Sequence, residues 1–491
     1  MRLLTALFAC VLLPALASAT PPAAPDPIEG RWLGRTGDAR ANNLSLLGLE
    51  FTRDASGALA VALTLEQLNL FGQPLPGAVR REGTRYTGDS FDLTLQDGKL
   101  TGTFGAGRRA VTLERVAELP ADTPIPTDLP PAPAPRWQRQ LGGAIYAGPT
   151  VHAGVAYVGT TNGVLVALRV ADGSVAWSFP AGRPLFGEPL ATDDAVFFVC
   201  DNGYLFKLAR ADGKELWRYD LGDARVSRLP PDPIQQPEDG FDHRAPQPTL
   251  VDGVLYVGAG DGGFHAVRAD TGARVWRVQS QGAIRTTAAV RGPHVFFSTI
   301  GGLVVAAERA TGHILWEVKS PAPVTSSPAF IGDKLVIGGR DSVLQALDPA
   351  TGAQLWKLGF WGSWVESTAV AAPENNGVAY IGSSDLRRVT CLDANDGRIL
   401  WRTDVFGSPW GRPLVTNKFV YAALAAEEPY MIRHQGGLAA LDRATGRLVW
   451  RLAAPNPPGA YSGGFAGSPA RAGDLLLLGG INGTLYAFPI E

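Results

Sequence analysis

From Arg136 to the end of the chain, apolar and polar positions repeat one phrase. An apolar run comes first, such as GVAYVG (154–159), GVLYVG (253–258) or GVAYIG (377–382). A turn and a second run follow, such as NGVLVAL (162–168) or GGFHAV (262–267). A D-G or T-G turn then leads into a strand that ends in tryptophan: ADGSVAW, ADGKELW, DTGARVW, ATGHILW, ATGAQLW, NDGRILW and ATGRLVW, closing at Trp450. Glycine supplies the positive φ of a tight hairpin, and the Asp or Thr before it bonds the local backbone. Helical periodicity is absent, so each unit reads as three strands plus a fourth just after the tryptophan. The indole offers a large apolar face on which neighbouring sheets can stack.

The phrase recurs with a nearly fixed period. Trp137, Trp177, Trp217, Trp276, Trp316, Trp356, Trp401 and Trp450 are separated by 40, 40, 59, 40, 40, 45 and 49 residues. Such repetition of four-stranded sheets, with no free hydrophobic edge, predicts a radial β-propeller. The last unit ends NGTLYAFPIE and lacks a tryptophan strand, whereas RWQRQL (136–141) is a tryptophan strand without a unit before it. Each completes the other, which predicts eight blades and a ring closed by pairing the first and last segments of 136–491. WD40 repeats place Asp after the tryptophan, and this chain does not.

The rest of the chain reads differently. Residues 1–19, MRLLTALFACVLLPALASA, have a basic Arg2, an apolar stretch and an Ala17-Ser18-Ala19 cleavage site. They read as a signal peptide, which predicts a periplasmic or secreted protein with no transmembrane segment once it is removed. Residues 20–116 alternate in the β manner, as in LGLEFTRDASGALAVALTL and SFDLTLQDGKLTGTFG, and predict a small barrel or sandwich. Residues 117–135 carry seven prolines and predict an extended linker. Cys200 and Cys391 sit in apolar runs and read as buried thiols, with a disulfide left open. A formal charge of −2 gives no footprint for nucleic acid.

The repeat GxLxALdxxTGxxxW, as in GGLAALDRATGRLVW (436–450) and SVLQALDPATGAQLW (342–356), resembles that of the pyrroloquinoline quinone (PQQ) enzyme family. That repeat builds the eight-bladed propellers of quinoprotein alcohol dehydrogenases. It also builds the non-enzymatic outer-membrane-protein assembly lipoprotein BamB. The resemblance therefore implies the fold and leaves the activity open.

Candidate chemistry gathers where each tryptophan strand hands over to the next blade, because eight such connections crowd the propeller axis. Most of their positions are small or polar. The exceptions are Glu188, Arg285, Glu366, Trp410 and Arg412, with Trp364 and Tyr146 nearby. Two carboxylates, two guanidiniums and aromatics can bind a planar anion; alternatively they pair across the channel and fill it. The 220–248 insertion carries Arg228, Asp239, His243 and Arg244 and reads either as a recognition loop or as a tolerated surface insertion. A smaller excursion, LAAEEPYMIRHQGG (424–437), lengthens the seventh unit. The quinoprotein resemblance would assign Glu188 and Trp410 to carboxylate and stacking roles, but no vicinal cysteines and no matching aspartate base accompany them. No metal-ligand spacing is present. The leading expectation is a non-catalytic binding or scaffold module with a protein partner in the cell envelope and no cofactor. The alternative is a PQQ- and calcium-dependent dehydrogenase or a small-ligand binder at the axis.

Overall fold

The computed structural model describes residues 25–105, 107–222, 244–374, 377–428, 430, 432–454, 456 and 460–490. Nine strands come first: β1 (Gly30–Asp38), β2 (Asn43–Arg53), β3 (Leu59–Leu65), β4 (Leu70–Pro74), β5 (Arg80–Glu82), β6 (Arg85–Gly88), β7 (Phe91–Gln96), β8 (Lys99–Phe104) and β9 (Arg109–Val116). They form a single sheet in the order β4-β3-β2-β1-β9-β8-β7-β6-β5. The barrel or sandwich expected from the alternation is thus one curled sheet, a half-barrel. Alternate residues Leu47, Leu49 and Phe51 of β2 are buried, as are Leu93 of β7, Leu100 of β8 and Leu113 of β9. This is the one-sided burial that period-2 patterning encodes.

By packing, one compact unit gathers the described residues up to Leu33, Gly48–Leu63 and those of Pro74–Leu119. The other gathers Gly34–Leu47, Thr64–Gln73 and the described residues from Pro120 onward. Within this larger unit, Asp122 of the proline-rich stretch accepts from the buried guanidinium of Arg387 at 3.0 Å.

The larger unit holds eight sheets. Seven contain four consecutive strands, the first innermost; they are blades 1 to 7 in chain order. Blade 8 is assembled from both ends of the repeat region. Strand β10 (Trp137–Gln140) pairs antiparallel with Thr484–Pro489, with Trp137 opposite Ala487 and Gln140 opposite Thr484. Both faces of a blade are buried, so its inner strands are continuously apolar. In blade 4, Val295 and Phe297 pack into the core shared with blade 3, while Phe296 between them packs into the core shared with blade 5.

The recurrent tryptophan acts across the seams. Seven indoles, from Trp137 to Trp401, each donate Nε1–H to a backbone carbonyl of the next unit's turn, at 2.7 to 3.2 Å. Each ring lies over that turn's glycine. A Cβ on Gly173, Gly213, Gly272, Gly312, Gly352, Gly397 or Gly446 would come within 2.5 to 2.9 Å of the indole. The same seven glycines have φ between +70° and +77°. Glycine is therefore required twice, once by the backbone and once by the neighbouring ring. Trp450 has no following T-G turn and is buried instead in the core shared by blades 7 and 8.

Blade 7 departs from the pattern. Its second strand, Phe419–Glu427, has 9 residues, against five or six elsewhere. The overrun, Ala425–Glu427, pairs with Ser462–Gly464 on the way into blade 8. Cys200 and Cys391 are free and buried, and burial pushes their thiols up to about 11 and about 12.

Candidate functional site

The axial connections first satisfy one another. Gln247 N–H donates to Thr287 Oγ1 (3.1 Å), Thr287 N–H to Ser327 Oγ (3.0 Å) and Ser327 N–H to Thr368 Oγ1 (3.2 Å). Blades 3 to 6 are thereby linked by a girdle of hydroxyls, one per repeat. Small polar residues recur there because backbone N–H groups beside the axis need acceptors.

Inside the girdle lies a cavity of about 90 Å³ whose lining includes Tyr146, Glu188, Arg244, Arg285, Trp410 and Arg412. Arg412 Nη2 donates to Glu188 Oε2 at 2.6 Å. Beneath them Glu366, with its side chain 4% exposed, accepts from Arg340 Nε at 2.8 Å and faces Arg244 Nε at 3.5 Å. Arg244 also donates to the carbonyl oxygens of Glu366 (2.6 Å) and Trp410 (3.0 Å). Burial pulls the Arg244 guanidinium below its ordinary value, and the charge of Glu366 opposes that shift. The Arg340 guanidinium stacks over the Trp364 ring at 4.3 Å.

Four residues picked out by register, Glu188, Arg285, Trp410 and Arg412, thus share one cavity, and Glu366 sits directly under it. Arg244, read as part of a recognition loop, also lines the axial cavity, where it opens the RAPQP connection (244–248). Arg228, Asp239 and His243 lie outside the described residues. Arg340 was missed because it sits in a turn between the second and third strands of blade 5, where no axial position was sought.

A second, smaller chamber of about 40 Å³ adjoins across Trp410. Its walls are Trp364, Glu366, Ser384, Asp385, Trp410, Glu427 and Tyr430. The overrun of the long blade 7 strand carries Glu427 there, and the excursion that follows supplies Tyr430 and His434. Tyr430 donates its hydroxyl to Asp385 Oδ1 at 3.0 Å. Glu427 Oε2 faces His434 Nδ1 at 3.0 Å, with both side chains almost wholly buried. The Tyr430 and His434 rings stack with centroids 5.4 Å apart. Burial raises the Asp385 carboxyl above the usual range. Burial, and then the charge of Glu427, raise the Tyr146 phenol. Among the described residues, no group of three or more His, Cys, Asp or Glu side chains is placed to hold a metal ion. Nor is any described helix long and apolar enough to cross a membrane.

The ring has many structural counterparts. The computationally designed Ika8 protein aligns with a TM-score of 0.55 and 16% identity, over 72% of this chain and 98% of its own. Quinohemoprotein alcohol dehydrogenase from Comamonas testosteroni aligns at 0.55 and 14%, over 72% and 76%. Sqt1 from Saccharomyces cerevisiae aligns at 0.56 and 12%, over 73% and 99%. A designed protein, an enzyme and a yeast protein share the architecture, so these likenesses bear on the fold alone. No curated protein matches the sequence. A family model described as outer membrane protein assembly factor BamB matches residues 131–263, 207–358 and 339–491. With the whole propeller covered by that match, the chain belongs to the BamB family of PQQ-like-repeat propellers.

Proposed function

We propose that this protein is an exported, non-catalytic binding propeller that serves protein assembly in the cell envelope, with a protein as its partner. Residues 1–19 support export, and the family match supports the assembly role. One observation carries the non-catalytic part: the two carboxylates of the axial cluster, Glu188 and Glu366, are both held by arginines. Glu188 is held by Arg412, and Glu366 by Arg340 and Arg244. Side chains that act on a substrate must keep a free lone pair or proton in the cavity.

The second reading, a PQQ-dependent dehydrogenase, draws support from the quinohemoprotein neighbour and from the guanidiniums, which suit an anion. Against it, Glu188 and Glu366 are both already in ion pairs with arginines. A fused-ring cofactor occupies a pocket of roughly 300 Å³ or more, well above the 90 Å³ cavity. The described residues do not fit that group.

Calorimetric titration with PQQ and calcium tests the choice. No saturable binding is expected. Binding that is lost in Glu188→Ala and Arg412→Ala would transfer the assignment to the enzyme. In the host, deleting the gene is expected to lower folded outer-membrane proteins. Both axial variants are expected to restore them, and failure of the intact gene to do so would remove the assembly role.

A further inference from the structure

The two chambers beside Trp410 are balanced differently. Around the upper cavity, each carboxylate has at least one arginine. Around the lower chamber, among the described residues, only Glu366 does. Asp385 meets the Tyr430 and Ser384 hydroxyls, and Glu427 meets His434. Neither forms an ion pair with a described Arg or Lys. Glu427 is 5% exposed, and its Oε1 has no hydrogen-bond partner. A buried carboxylate oxygen left without a partner is costly, so such a group calls for a donor.

The walls indicate what kind of donor. Trp364, Trp410 and Tyr430 are part of its lining, and aromatic side chains attract an organic cation. Arg340 already shows the pattern within this protein, with its guanidinium stacked on Trp364 and bonded to Glu366. The carboxylates are not spaced for a shared metal ion. A chamber of about 40 Å³ holds a headgroup of one or a few heavy atoms. Tyr430 is 38% exposed, so the chamber has a way in.

We propose that this chamber is a binding site for a primary alkylammonium group, with Glu427 as the charged acceptor and Trp410 and Tyr430 as the aromatic wall. An –NH3+ headgroup brings three donors, matching the Glu427 oxygen and leaving the stem to exit past Tyr430. Two sources share this chemistry, a free amine and a lysine side chain of a partner chain. The site stands on its own geometry and does not depend on the assembly role proposed above.

The test is calorimetry on the full mature protein with n-butylammonium chloride, and separately with a short lysine-containing peptide. Saturable binding is expected, weakened at least about tenfold by Glu427→Gln, an isosteric loss of one charge-assisted bond. Arg412→Ala, which alters only the upper cavity, is expected to bind as the wild type does. Unchanged thermal melting of Glu427→Gln would show that weakened binding is not unfolding. If that variant melts early, Trp410→Phe, which keeps an apolar wall while weakening the cation–π contact, provides the second reading. Tighter binding of the peptide than of butylammonium would name a partner's lysine as the source; equal binding would name a free amine. The proposal is overturned if butylammonium and peptide both fail to bind, if Glu427→Gln binds as well as the wild type, or if potassium or calcium displaces the amine stoichiometrically.

Discussion

Blade 4 and blade 7 are built from the same phrase and use it differently. In blade 4, the strands His294–Ser298, Leu303–Glu308 and Ile314–Lys319 follow one another through short turns. Trp276 of blade 3 seals its T-G turn, and its own Trp316 seals the turn of blade 5. In blade 7, the second strand overruns, borrows a strand from the entry to blade 8, and delivers Glu427 to a chamber beside the axis. The longer second strand of blade 7 places its last residues beyond the four-strand pattern, and Glu427 among them reaches the chamber.

Substitutions sharpen this contrast. Trp316→Ala should cost the most, about 3 kcal/mol, since it removes a large ring and a hydrogen bond from a seam. A denaturant midpoint equal to the wild type would mean the indoles do not hold the ring together. Gly312→Ala should cost about 2 kcal/mol, because it adds a Cβ against Trp276 and forces an unfavourable positive φ. An effect below about 0.5 kcal/mol would show that the turn relaxes around it.

In blades 6 and 7 the chamber should respond to pH instead. The Asp385 carboxyl is raised above its unfolded value of 3.8. The folded protein therefore holds that proton more tightly, and stability falls as pH rises from the unfolded value through the folded one. Asp385→Asn should remove that fall, as seen in melting curves collected from pH 4 to 7. A profile identical to the wild type would mean the carboxyl is not buried as described. Glu427→Gln should have the smallest effect, within about 1 kcal/mol and toward greater stability, since it replaces a buried carboxylate, one of whose oxygens has no partner, by a neutral amide. A clear loss of stability would mean that the pair with His434 supports the fold.

The ring was legible in the sequence because eight tryptophans mark the same strand, and Glu188, Arg285, Trp410 and Arg412 were legible because the axial connection recurs in register. The partner of the indole was not foreseen, although the offset of 33 residues from Trp137 to Val170 recurs at Trp177, Trp276 and Trp316. The sequence reading gave the ring to sheet stacking alone, whereas a T-G turn one unit later supplies both a carbonyl and a bare Cα. Asp385, Glu427 and His434 were missed for a different reason. Asp385 sits in the turn between the second and third strands of blade 6, and Glu427 and His434 belong to an excursion of blade 7, so the register of the axial connections does not point to them. Arg244 lies where the 220–248 insertion meets an axial connection, so it belongs to both segments in the sequence.

The pairing of β10 with Thr484–Pro489 sets a rule of timing. A ring whose first outer strand waits for Thr484–Pro489 cannot shut until that strand has been synthesised. Until then blade 8 has no outer strand, and the flanks of blades 1 and 7 face water instead of a neighbour. The nascent ring is therefore open to aggregation or proteolysis for as long as Thr484–Pro489 is missing, and removing that strand alone leaves two open edges at once.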